Sequence, residues 1–247
     1  MKRTRTWLIL LVLVGYALMS AGPAWNKVRN VRHARDFATY HYAAAQALDG
    51  DSPYDTKALS KRARQAKTRK SVHPFFYPPP FLLSVLWSPQ FSLSTSYQLF
   101  FGLNQLALLL CFAVFRFWFR APWVVIGLVA MFFTPITDNA KMGQVNVLVL
   151  MVAMLGLWLR SGTAVGVAAM AKMSPALYLF GFFAQRRWQP ILTAIGTAFG
   201  LSILSLPWID WNTQWRFYTE VLPGFSTGHY HGLTVKIGLP ANHSIPD

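Results

Sequence analysis

Eight carboxylates are all that this 247-residue chain offers for acid–base chemistry, so elimination among them is informative. Asp49, Asp51 and Asp55 fall in Asp49-Gly-Asp-Ser-Pro-Tyr-Asp55, where turns and caps account for them. Asp210 follows an apolar run and precedes Trp211, a capping position, while Glu220 lies in a polar tail and Asp247 is the last residue. That leaves Asp36 and Asp138. Asp36 stands a short way beyond the first apolar run, and Phe37, Tyr40 and Tyr42 follow it. A carboxylate at that place could take a proton from an incoming hydroxyl. Tyr40 and Tyr42 are the candidates to bind the molecule that brings it. The competing reading makes Asp36 a helix N-cap, a position that aspartate favours.

Asp138 belongs to a polar island between two apolar runs, Pro135-Ile-Thr-Asp-Asn-Ala-Lys-Met-Gly-Gln-Val-Asn146. Loop capping explains it; a polar site at a membrane edge is the alternative. Gln144 and Asn146 open the next apolar run, and their amides could hydrogen-bond a sugar or phosphate. Lys172 sits in the middle of an apolar segment. An ionisable residue there normally faces a cavity or a partner, and a lipid phosphate is a fitting counter-charge. Snorkelling to the membrane surface is the competing reading. Of six histidines, His229 and His231 are two apart, but no third ligand is near in sequence, so no metal site is expected. There is no glycine-rich phosphate loop, which argues against nucleotide-driven work. Cys111 is the single cysteine; it lies in an apolar run and reads as a buried, inert thiol.

The elements that must position these residues are apolar. The chain is 54% hydrophobic and only 13% charged, against about a quarter charged in a soluble domain. The apolar residues come in long runs, which points to lipid. The net charge of +15 sits between those runs, so lipid headgroups and lipid phosphates are the expected partners and nucleic acid is not.

Trp7 to about Gly22 reads as a first span, with Lys2, Arg3 and Arg5 holding the N-terminus in the cytoplasm. The zone from Trp25 to His73 then lies outside, although it holds 11 of the 23 basic residues. The positive-inside tendency weakens for a loop this long. A short helix is expected from Asp36 to Leu48, broken at Gly50 to Pro53. A second starts near Asp55 and continues through the basic stretch Lys57 to Lys70, suited to an anionic membrane surface. Phe81 to Phe91 is short for a span and is expected to dip into the membrane. Tyr97 to Phe119, Trp123 to Phe133 and Val145 to Leu159 read as spans, the second stopped by Pro135. Gly162 to Ala184 has arginines at both ends and Lys172 and Pro175 inside, which predicts two half-helices breaking at Ala171 to Pro175. Ile191 to Trp208 is the last span. The resulting division is 1–25 first span, 26–77 outer loop, 78–208 membrane region with broken or re-entrant segments, and 209–247 outer tail.

Four blocks carry a resemblance. Asp36-Phe-Ala-Thr-Tyr-His-Tyr-Ala-Ala-Ala-Gln-Ala-Leu-Asp-Gly-Asp-Ser-Pro-Tyr-Asp55 resembles the first outer loop of glycosyltransferase family 87. These are multi-spanning enzymes of the GT-C class, including polyprenol-phosphate-mannose-dependent alpha-mannosyltransferases. Phe76-Tyr-Pro-Pro-Pro80 is similar to that family's next segment. Gly143-Gln-Val-Asn146 with Lys172-Met-Ser-Pro175 and Arg186-Arg-Trp188 is similar to its most recognisable stretch. Asn242-His-Ser-Ile245 is similar to a later motif, usually Asn-Gln-Ser, with His243 replacing glutamine.

The resemblance implies an all-α, polytopic transmembrane bundle of GT-C type with interfacial helices in the outer loop. It implies transfer of a hexose, mannose by analogy, from a polyprenyl-phosphate donor to a lipid or glycan hydroxyl, with inversion, at the outer face of the cell membrane. Asp36 would be the general base. The donor carries its own leaving group, so the family needs no nucleotide, metal or other cofactor. Lys172 and loop arginines such as Arg35 could offset the phosphate's charge. Family members are longer, which implies further C-terminal spans not present in this sequence. A transporter or flippase-like protein, or an inactive remnant of the enzyme, are the competing readings.

Overall fold

The computed structural model describes residues 2–226 and the short pairs 229–230 and 233–234. The described chain is helical, apart from a two-residue antiparallel pairing of His229–Tyr230 with Leu233–Thr234. Two helices are long and apolar enough to cross a membrane, three if one bent pair counts as a single span. The protein is an all-α membrane protein.

The first span runs from Trp7 to Val28, beyond the end expected from composition. It comprises α1 (Lys2–Tyr16), a π-helical turn (Ala17–Ala21) and α2 (Gly22–Val28). Pro23 has no amide to donate, so the helix cannot keep its regular ladder there. The wider π turn just before it absorbs the lost bond without ending the helix.

The second span is α5 (Leu93–Phe117), capped by the Ser92 hydroxyl, which accepts from the Thr95 amide. Its two faces differ. Tyr97, Phe100, Asn104, Ala107 and Cys111 are buried, whereas Leu99, Leu103, Leu106 and Leu110 are 44–57% exposed. A leucine stripe at spacings of three and four would be costly in water; in hydrocarbon it is the expected outer face.

Next come α6 (Trp123–Phe132) and α7 (Thr134–Met142), bent by 50° at Phe133. The sequence suggested that Pro135 ends a helix and leaves a polar loop. The helix before it does end, at Phe132, but no loop follows: Pro135 stands in the first turn of α7, where a missing amide costs nothing. Asp138 therefore lies in a helix, paired with Lys141 (Nζ to Oδ1, 3.1 Å), and is not a loop cap.

Then follow α8 (Asn146–Trp158), α9 (Gly162–Ala171), α10 (Tyr178–Ala184) and α11 (Trp188–Leu204). The Gly162 to Ala184 segment does break, at Lys172 and Met173, before a 3-10 turn at Ser174–Leu177. Pro175 cannot donate to the carbonyl four residues back, so α9 ends there. The bundle is built by α5 packing on α8, α8 on α9 and α9 on α11. Gly162 and Gly166 permit the last contact: a Cβ on Gly162 would lie 1.8 Å from the Pro190 carbonyl oxygen, and one on Gly166 2.7 Å from that of Ala194. Small residues allow such backbone approach between helices in lipid.

The outer-loop layer holds α3 (Arg35–Leu48) and α4 (Thr56–Gln65). Phe37, Tyr40, Ala44 and Ala47 of α3 are all buried, and the helix packs against α4, α5 and α7. Asp55 caps α4 by accepting from the Lys57 and Ala58 amides. Helix α4 stops at Gln65, short of the expected Lys70, because Lys67 takes a left-handed φ of 53°. Phe81 to Phe91 forms 3-10 turns at Pro79–Ser84 and Ser88–Gln90 and is not a helical span.

Candidate active site

Six of the seven described carboxylates have structural partners. Asp49 and Asp51 both pair with Arg62, Asp138 pairs with Lys141 and Glu220 with Arg216. Asp55 and Asp210 cap helices. Asp36 is the exception: among the described residues its carboxylate makes no hydrogen bond or ion pair. It does not cap α3 either. It is the second residue of that helix, and the capping position belongs to Ala34, which offers no side-chain bond. The N-cap explanation of Asp36 therefore falls away. Its place in the first turn suits a negative charge, because the helix dipole is positive there.

Asp36 is half-buried, and its charge reaches Tyr40, Tyr77, Arg69 and Lys172. Tyr40 lies one turn further along α3, on the same face. Its hydroxyl is 2.6 Å from that of Tyr77 and faces the Val145 backbone. Burial holds the Tyr40 phenol well above its ordinary pKa, reinforced by Tyr77 and Asp36. Burial, helped by Asp36, pushes Tyr77 up to about 12, although its bond to Tyr40 acts the other way. Both phenols stay protonated and can serve only as neutral hydrogen-bonding groups beside the carboxylate.

The opposite wall comes from far along the chain. Lys172 Nζ donates to Asn146 Oδ1 at 2.6 Å, and Asn146 Nδ2 donates to Gln144 Oε1 at 2.8 Å. One turn holds this trio against α3. Gly143 sits at φ 70°, and a Cβ there would come within 2.5 Å of the Phe37 Cβ. The turn is secured from beneath. Asn139 accepts the Gln144 amide through its backbone oxygen at 2.9 Å, and the Tyr97 hydroxyl donates to the Lys141 carbonyl. Phe37 stacks on Tyr97, with ring centroids 5.9 Å apart. Residues next to Asp36 thus grip the turn that carries Gln144 and Asn146.

Of the expected site residues, Asp36, Tyr40, Gln144, Asn146 and Lys172 gather around one region. Tyr42 does not join them. It turns toward the loop after α4, where its hydroxyl bonds Thr68. Arg35 is exposed and contributes at long range, acting on Arg69 and His33. Two neighbours of Asp36 escaped the sequence. Tyr77 was legible only as the residue before three prolines. Arg69 was one cation among many in a basic run; folded, it donates to the Arg32 carbonyl at 3.0 Å and lies near Asp36. Burial lowers the pKa of His33, and the nearby charges of Lys27, Lys141, Arg35 and Arg69 lower it further. The mouth of the region is therefore cationic.

Comparison with known proteins places this arrangement. The family model of glycosyltransferase family 87 matches residues 75–244, more than two thirds of the chain. The chain belongs to glycosyltransferase family 87. Its matched portion includes Tyr77, the Gln144–Asn146 turn and Lys172. Asp36 precedes the match, so its assignment rests on geometry. The Asn242 motif also falls in the match but lies outside the described residues.

Among curated proteins, the chain is 25% identical over 242 residues to the polyprenol-phosphate-mannose-dependent alpha-(1-2)-phosphatidylinositol mannoside mannosyltransferase of Mycobacterium tuberculosis (strain ATCC 25618 / H37Rv). That alignment covers 87% of this chain and 54% of the relative. The protein of the same description from Mycolicibacterium smegmatis (strain ATCC 700084 / mc(2)155) is 26% identical over 114 residues, 42% of this chain and 26% of that one. The family 87 chain thus spans about half the length of the first of these relatives. No solved structure matches it.

Proposed function

We propose that this family 87 chain transfers mannose from a polyprenyl-phosphate donor to a hydroxyl of a glycolipid acceptor, with Asp36 as general base. The acceptor hydroxyl gives its proton to the Asp36 carboxylate while its oxygen attacks the anomeric carbon. The bond from that carbon to the phosphate oxygen breaks, and polyprenyl phosphate leaves with the electron pair. A single in-line displacement inverts the anomeric centre. Lys172 offsets the charge on the leaving phosphate, and Gln144 and Asn146 orient the sugar or phosphate. Tyr40 and Tyr77 hold hydrogen-bonding groups beside the base. The reaction is placed at the outer face of the cell membrane, where the loop carrying α3 lies when the N-terminus is cytoplasmic.

The observation that carries this reading is the state of Asp36: half-buried, free of structural partners among the described residues, and within electrostatic range of Lys172. The similarity to mannosyltransferases that use polyprenol phosphate mannose supports the donor. The test is Asp36→Asn in membranes supplied with radiolabelled polyprenyl-phosphate mannose and a lipid acceptor extract. Asparagine keeps the shape and removes the base, so transfer should drop by at least about 10²-fold with unchanged protein level. Retained transfer in this variant would overturn the role of Asp36. A wild-type chain that moves the labelled lipid across vesicles without forming product would favour a flippase.

A further inference from the structure

A second charged concavity lies on the outer-loop layer, with no assigned role. It is a cleft of ≈ 550 Å³ whose lining includes Arg32, Arg64, Lys67, Arg69 and Lys70. Thr68 and Ser71 add hydroxyls, and no carboxylate lines it. Asp36 acts on the lining at Arg69 without lining the cleft itself, and Asp49 and Asp51 are both taken by Arg62. Cations gathered around a hollow repel one another unless an anion occupies it.

The fold holds this cluster in place. Arg64 donates to the Lys70 carbonyl at 3.1 Å, and Arg69 ties the loop to the turn at residues 31–33 through the Arg32 carbonyl. Lys67 occupies the left-handed position just past α4, where glycine is the usual residue. Depth matters too. Arg32 comes four residues after Val28, the end of the first span, so the cleft opens at headgroup level.

We infer that this cleft seats the phosphate of an anionic membrane-lipid headgroup. The cations match a phosphate's charge, Arg guanidinium groups match its oxygens, and Thr68 and Ser71 supply neutral donors. The cleft meets the surroundings of Asp36 at Arg69, but binding there does not depend on the transfer chemistry.

The test uses the purified full chain in neutral detergent and native mass spectrometry. The probe is short-chain phosphatidic acid, with phosphatidylcholine of the same tails as the neutral-headgroup control and inorganic phosphate as the free anion. Lys67→Gln/Lys70→Gln is compared with Lys57→Gln/Lys61→Gln, which removes the same charge from the exposed side of α4. The first pair should weaken phosphatidic acid binding by about tenfold or more, since each lysine near an anionic headgroup contributes about one decade or less. The second pair should bind as the wild type does. Equal losses in both pairs would mean a diffuse field and overturn the site, as would no loss in either. Displacement of the lipid by inorganic phosphate at equal concentration would overturn the lipid as its source. Because sugar transfer is not read, this result is independent of the role proposed for Asp36.

Discussion

Lys172 Nζ and Asn146 Oδ1 are 2.6 Å apart, and that contact joins the break after α9 to the first residue of α8. A lysine can only donate, so it fixes which end of the Asn146 amide faces it. The other end donates to Gln144. One asparagine therefore orients two further groups of the candidate site.

Asn146→Leu leaves the half-buried ammonium without this acceptor and frees Gln144. Transfer measured as kcat/KM should fall on the order of 10²-fold, the usual effect of losing one oriented polar group in a water-poor site. Asn146→Asp keeps an acceptor for Lys172 but neutralises its charge. Its loss should appear mainly as a raised KM for the phosphate donor. Initial rates over a range of donor concentrations separate the two.

Gly143→Ala tests the grip between the turn and α3. The substitution meets Phe37 at 2.5 Å and must hold φ near 70°. Thermal stability in detergent should drop by roughly 1–3 kcal/mol, and transfer should fall further than that destabilisation explains. A Phe37→Ala partner should not restore the stability, because alanine keeps the Cβ that the new methyl meets while the buried ring contacts are lost.

His41 supplies a pH dependence. Burial alone lowers its pKa from 6.5 to about 4, and its Nδ1 has no hydrogen-bond partner. Between those values the unfolded chain binds the proton and the folded chain does not, so stability falls as pH drops through that window. The loss should approach about 3 kcal/mol at its acid end. Unfolding midpoints from pH 7 to pH 4 should slope downward in the wild type and less so in His41→Gln.

Gly162→Val tests the packing of α9 on α11. The added atoms would lie well inside the contact distance to the Pro190 carbonyl, so the helices must separate. A lowered unfolding temperature is expected, along with weaker transfer, because α9 delivers Lys172 at its end. Gly196→Val on α11, where a Cβ meets nothing within 4 Å, is the control expected to stay close to wild type.

Local chemistry made much of this protein legible in its residues. Long apolar runs define spans because hydrocarbon admits no unpaired backbone. Pro175 predicts the break beside Lys172, and Asp-rich turns dispose of Asp49, Asp51 and Asp55. The short outer helix ending at Leu48 follows from its alanines. The folded chain decided what depends on distant neighbours. Pro135 marks the end of α6, but that the polar stretch after it is itself a helix was decided only in the folded chain. Asp36 could cap a helix or stand free; the cap falls at Ala34, two residues earlier, and that settled it. Tyr77 and Arg69 are ordinary by sequence, and they become neighbours of Asp36 only in the fold, where Tyr77 bonds Tyr40 and Arg69 donates to the Arg32 carbonyl. Spacing along a chain fixes which side chains share a helix face, but the approach of two elements depends on how all their surfaces fit, which no local pattern encodes.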